Sequence, residues 1–158
     1  PFILQTHYGL SQTIYGVVIG CNALFVMAGS LIALRFKPLK KAAVIGAWVM
    51  AGGVVCQAVA LYTIHNLWVF EACMAVILFG LGLIFTTSNS LAMNEGRHKA
   101  GEASAILGIS GYIVGAVAAP MVGLGDVLHS TAITYIVLSI FVLIFAEATR
   151  RLAPDLEQ

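Results

Sequence analysis

Five apolar stretches, each close to the ~20 residues that a helix needs to cross a bilayer, follow one another at about 14–34, 42–62, 67–93, 101–124 and 131–148. The joins between them are short, so a soluble fold would have too little polar surface to cover them. The 158 residues are 60% hydrophobic and 9% charged, against roughly 45–50% and 25% in ordinary globular domains. A transmembrane barrel would instead show alternating segments of about ten residues, a pattern this chain lacks. The expected fold class is therefore all-α, a polytopic transmembrane helical bundle forming one membrane domain over residues 1–158.

The charges sort by loop. Arg35, Lys37, Lys40 and Lys41 follow the first stretch, Arg97 and Lys99 the third, and Arg150 and Arg151 the fifth; these are all eight Lys and Arg residues. The alternate joins, 63–66 and 125–130, carry none. Basic residues collect in cytoplasmic loops, so an external start and a cytoplasmic end are expected. Pro38 and the four cations around it close the first span, and Trp68 stands where an interfacial aromatic would anchor the third. The third stretch is long enough to tilt. The chain starts at Pro1 and lacks the basic opening of a signal peptide. It reads as a piece of a longer protein.

Several classes of chemistry find no support. Cys21, Cys56 and Cys73 fall inside apolar runs without metal-ligand spacing, so buried thiols are expected rather than disulfides or a zinc site. His7, His65, His98 and His129 fall in the predicted loops and have no suitably spaced partner. Neither a nucleophile beside a base nor a phosphate-cradling glycine loop is present. No enzyme activity, metal or cofactor is expected, and nucleic acid is not an expected partner.

Polar residues inside the spans are the candidates for function. Asn22 lies near the middle of the first, where an amide must face protein or water; helix packing and ligand contact both fit. Glu71 lies a turn or so inside the third span and shares a face with Ala75, Leu78, Gly82, Thr86 and Asn89. An ionisable residue there is a candidate by default, either as an interfacial carboxylate or as a substrate or proton site. Asn89, with Thr86, Thr87, Ser88 and Ser90, suits interhelical hydrogen bonding, as does Gln57 in the second span. Glu147 stands three residues before Arg150, the spacing of a helical ion pair.

The fourth span carries Ser104, Gly108, Gly111, Gly115, Ala118, Ala119 and Val122 within an arc of about 100° at 3.6 residues per turn. Gly111 and Gly115 form a GxxxG pair, which admits a close helix neighbour. Static packing and a gliding contact in a transporter both fit, and Pro120 frees the carbonyl of Ala116 to allow a bend.

Two segments carry a family resemblance. Pro1-Phe2-Ile3-Leu4-Gln5, Tyr8-Gly9-Leu10-Ser11 and Gly20-Cys21-Asn22-Ala23-Leu24 resemble the junction of the seventh and eighth helices in the bicyclomycin-resistance (Bcr/CflA) drug-efflux family of the major facilitator superfamily. Ala100-Gly101-Glu102-Ala103-Ser104-Ala105-Ile106-Leu107-Gly108, and then Gly115-Ala116-Val117-Ala118-Ala119-Pro120-Met121-Val122-Gly123, resemble its eleventh helix. The resemblance implies that the five spans are helices eight to twelve, after the end of helix seven, with a six-helix N-terminal half as the missing partner. Helices seven, eight, ten and eleven line the cavity in that fold. Asn22, Glu71, Thr86, Thr87 and Tyr112 are thereby substrate-binding candidates, while Gly108, Gly111, Gly115 and Pro120 are candidates for packing or gating. Two positions depart from the family pattern. Thr86-Thr87 stands where Pro-Asn is common, and Ala33 stands in the basic loop where an Asp would be expected. The expected activity is proton-coupled efflux of drugs or small amphiphilic compounds by alternating access, an antiporter conferring antibiotic resistance in a bacterial inner membrane. A metabolite or sugar carrier of the same superfamily and a non-transporting structural membrane subunit are the alternatives.

Overall fold

A computed structural model describes residues 4–5, 8–63, 66–122 and 127–152. His7, His65 and the tail with Asp155 and Glu157 lie outside the described residues, as do parts of the joins at 63–66 and 125–130. Five helices account for nearly all of what is described: α1 (Gln12–Ala33), α2 (Leu39–Thr63), α3 (Leu67–Glu95), α4 (Ala100–Val122) and α5 (Val127–Leu152). All five are long and apolar enough to cross a membrane. Among the described residues there is no strand.

Local chemistry sets the helix ends. The Ser11 hydroxyl accepts from the Ile14 N–H at 3.3 Å and caps α1. Asn66 does the same for α3, its side-chain oxygen accepting from the Trp68 N–H at 2.9 Å. Both are side-chain caps that satisfy a donor the helix itself leaves free. At the other end of α3 the Gly96 N–H donates to the Ala92 carbonyl at 3.0 Å, and one 3-10 turn, Arg97–Lys99, leads into α4. Arg150 and Arg151 in the last turn of α5 complement the negative end of the helix dipole. Glu147 accepts from Arg150 at 2.6 Å and from Arg151 at 3.3 Å.

α3 is the hub, packed against α1 on one side and α2 on the other, while α5 lies on α2. Glycines let α3 approach both neighbours. A Cβ on Gly82 would collide with the Val26 carbonyl of α1, and one on Gly29 would collide with the Phe79 carbonyl of α3. On the other side, a Cβ on Gly80 would stand 2.8 Å from the Gly46 carbonyl of α2. Backbone meets backbone at both crossings, which is how membrane helices gain packing energy without a hydrophobic drive to associate. Met50, Val54 and Ile77 make a core at the α2/α3 contact, flanked by Tyr135 and Val142 of α5.

α4 is the exception. None of its membrane-length stretch is buried, against 44% for α2. It rests lightly on α5 and α3, and Gly101, Gly108, Gly111 and Gly115 have open space where a Cβ would go. The glycines of α4's small face therefore have no close packing partner among the described residues. Exposed apolar side chains such as Ile106, Ile109, Val117 and Phe145 are ordinary against lipid or another helix and untenable in water.

Three expectations are corrected. Cys21 and Cys56 are exposed rather than buried, because they lie on the outward faces of α1 and α2. His129 is not in a loop: α5 begins at Val127 and sets its ring edge-on to Tyr62, with centroids 5.0 Å apart. Gln57 is almost wholly buried, yet neither side-chain atom finds a hydrogen-bond partner, interhelical or otherwise, among the described residues.

Candidate functional site

α1 turns one stripe toward α3. Tyr15 and Val18 pack around Phe70, Asn22 reaches Glu71, and Val26 and Gly29 make the glycine crossing. This spacing of three, four, four and three residues is that of one helical face. The contacts on α3 advance in the same direction, so the two helices run parallel.

The amide nitrogen of Asn22 donates to Oε2 of Glu71 at 3.0 Å, joining residues 49 apart in sequence. Asn22 is buried and Glu71 half-buried. At 1.5 Å per residue, Asn22 lies ~15 Å along α1 while Glu71 lies only ~6 Å along α3. The carboxyl group near the start of its own helix is thus held from the middle of another. Oε1 of Glu71 is buried and has no hydrogen-bond partner among the described residues. A carboxylate accepts several hydrogen bonds, and one in an apolar span is stable only if its charge is met by a donor, a proton or a cation. The nearby cluster is apolar and aromatic: Phe70 with Leu4, Leu61 and Ala132, bordered by Tyr8, Tyr15 and Met74. The Lys and Arg residues of the chain sit at or just past the far ends of α1, α3 and α5 and at the start of α2, so none neutralises Glu71 from within these helices. Geometrically, the pair is a carboxyl group in an oily setting, held by one amide, with its second oxygen buried.

The other candidates do not join this pair. Thr86 is half-buried four turns further along α3. Thr87 is wholly buried, and its hydroxyl donates to the Leu83 and Ile84 carbonyls at 2.8 and 3.0 Å. Its hydroxyl is thereby committed to its own helix. Tyr112 is 83% exposed on α4 and lines a groove between α3 and α4 with Phe85, Asn89, Ser104, Gly108 and Gly111. Asn89 is ~27 Å along α3 from Glu71, so the groove and the carboxyl pair are separate places. Pro120 lies inside α4 near its end. α3 runs unbroken through Thr86-Thr87.

One surface feature escapes the sequence reading. Gly16 and Gly20 on α1 form a second GxxxG pair with open space beside both. Their spacing was the available signal. α1 and α4 thus each present glycines that no described residue covers.

Over 133 residues the chain is 30% identical to a protein of Bacillus subtilis (strain 168) described as an uncharacterized MFS-type transporter, YdgK. The match takes in 80% of this chain and 32% of that protein, so the chain spans about a third of the length of the relative it matches. No family model matches, and no solved structure gives a significant match. The likeness to YdgK and the five-helix membrane bundle support membership of the major facilitator superfamily.

Proposed function

We propose that this chain is the C-terminal part of a major facilitator transporter, comprising the end of helix seven and helices eight to twelve, which exports small amphiphilic compounds in exchange for protons. The observation that carries the proposal is Oε1 of Glu71, a carboxyl oxygen buried in an apolar span with no hydrogen-bond partner among the described residues. Such a group is costly unless it serves a pathway, and a proton and a cationic substrate competing for one carboxyl is the simplest coupling device it allows. The Asn22 amide fixes the carboxyl while leaving its second oxygen for the exchange.

The bare faces of α1 and α4 support the presence of a second helical half, against which this one rocks in alternating access. The Bcr/CflA likeness supports drug-like rather than sugar cargo, since sugar binding calls for more polar groups than these spans supply. The charge sorting supports an orientation in which the start of α1 lies outside and the end of α5 in the cytoplasm.

The test is reconstitution of the full-length protein in liposomes with an imposed pH gradient. Accumulation of a fluorescent cationic dye should rise with the gradient. Dye movement that ignores the gradient would refute proton exchange.

A further inference from the structure

Lys40 is expected to be a solvated member of a basic loop, and the structure places it otherwise. It is the second residue of α2 and is only 7% exposed. Its ammonium nitrogen is buried and has no hydrogen-bond partner among the described residues. The other cations at this end include Lys99, which pairs with Glu102 at 3.2 Å, and Arg150 and Arg151, which share Glu147.

Two openings meet at Lys40. One has the polar Lys37, Ser90 and Asn94 in its wall beside the apolar Phe36, Pro38 and Leu91. The other is a cleft of about 510 Å3 between α2, α3 and α5, walled mostly by apolar side chains including Ile84, Leu91, Val142 and Phe145. The first turn of α2 contains no acidic residue, and a helix N-terminus offers free N–H groups and a positive dipole end to an anion. A buried ammonium without an acceptor is several kcal/mol too costly to persist unless an anion meets it. That anion has to fit a site that is cationic and polar on one side and oily on the other.

We propose that Lys40 and the α2 N-terminus hold the phosphate of an anionic phospholipid, with an acyl chain in the α2/α3/α5 cleft. The ligand chemistry is a phosphate carried on an apolar tail, drawn from the leaflet at the basic end of the bundle. The site rests on the membrane reading of the chain and is independent of what the protein transports.

The test uses the purified full-length protein, delipidated in neutral detergent and titrated with phosphatidylglycerol, with phosphatidylcholine of the same chains, or with inorganic phosphate. Binding is read by native mass spectrometry and thermal melting. Phosphatidylglycerol should bind and raise the melting temperature; phosphatidylcholine and inorganic phosphate should do neither. Lys40→Met should weaken phosphatidylglycerol binding ~5-fold or more, whereas Lys41→Met, at the exposed neighbour, should have a smaller effect. In lipid-free detergent Lys40→Met should melt no lower than the wild type, because an unpaired buried charge has been removed. Equal binding of both lipids, equal effects of the two substitutions, or binding of phosphate alone as tight as that of the lipid would overturn the proposal. A Lys40→Met protein that melts lower without lipid would also overturn it, by showing that the ammonium already has a protein partner.

Discussion

Gly82→Ala should be among the most damaging single-methyl additions in this bundle. The added Cβ would meet the Val26 carbonyl, with the Ser30 nitrogen 3.0 Å away. Both obstacles are backbone atoms, so no side chain can rotate aside, and α1 and α3 must separate. Overpacking of this kind costs about 1–3 kcal/mol, and with backbone on both sides the upper part of that range applies. Separation also breaks the bond from the Ser30 hydroxyl to the Gly82 carbonyl, 3.3 Å long, worth ~0.6 kcal/mol among membrane helices. Alanine returns ~1 kcal/mol of helix propensity, leaving a net loss of about 1.5–2.5 kcal/mol. Gly20→Ala on α1 is the matched control. It has nothing within 4 Å of its Cβ position and should be neutral or gain up to ~1 kcal/mol. Unfolding by SDS in mixed micelles, followed by the fluorescence of Trp48 and Trp68, measures both. Stabilities of the two variants within ~0.5 kcal/mol of each other would refute the glycine crossing.

Other outcomes follow from the same packing. Gln57→Met should raise stability by about 1–2 kcal/mol in that assay, because a buried amide without partners gives way to an apolar side chain of similar length; a loss would mean that the amide is bonded. Asn22→Ala should cost about 1 kcal/mol by removing the one donor to Glu71 among the described residues, and a neutral result would mean that the pair is incidental. Gly111→Leu should leave the unfolding midpoint of the helices described here nearly unchanged, since its surroundings are open. In the full-length transporter the same substitution should cut transport about ten-fold or more, because ~1–3 kcal/mol of overpacking would fall on a contact with another segment; undiminished transport would show that α4's small face meets only lipid.

The fold class was legible because apolar length and charge placement are properties of the chain itself. Five membrane-length helices follow from the spacing of the Lys and Arg clusters and the uncharged joins, with no knowledge of neighbours. Packing partners were less legible. The GxxxG at Gly111 and Gly115 marks a surface that accepts a helix, but spacing does not say whose helix, and the close crossings inside this chain fall at Gly29/Gly82 and Gly46/Gly80 instead. Asn22 and Glu71 were each visible as polar residues in apolar runs. Their union was not, because it depends on α1 and α3 lying side by side and parallel with α2 between them in sequence. Thr87 shows the limit of adjacency: a rotation of 100° from Thr86 turns it into the helix contact and gives its hydroxyl to its own backbone. Lys40 looked like a loop cation until the start of α2 at Leu39 drew it into the packed end of the bundle.

Glu71→Gln in the reconstituted full-length protein bears most directly on the transport account. Glutamine keeps an oxygen to accept from Asn22 but neither ionises nor exchanges a proton. The account predicts that the variant still exchanges dye down its own concentration gradient while losing dye accumulation driven by a pH gradient. A variant that accumulates dye as the wild type does, with the same dependence on the gradient, would contradict the assignment of Glu71 as the coupling carboxyl.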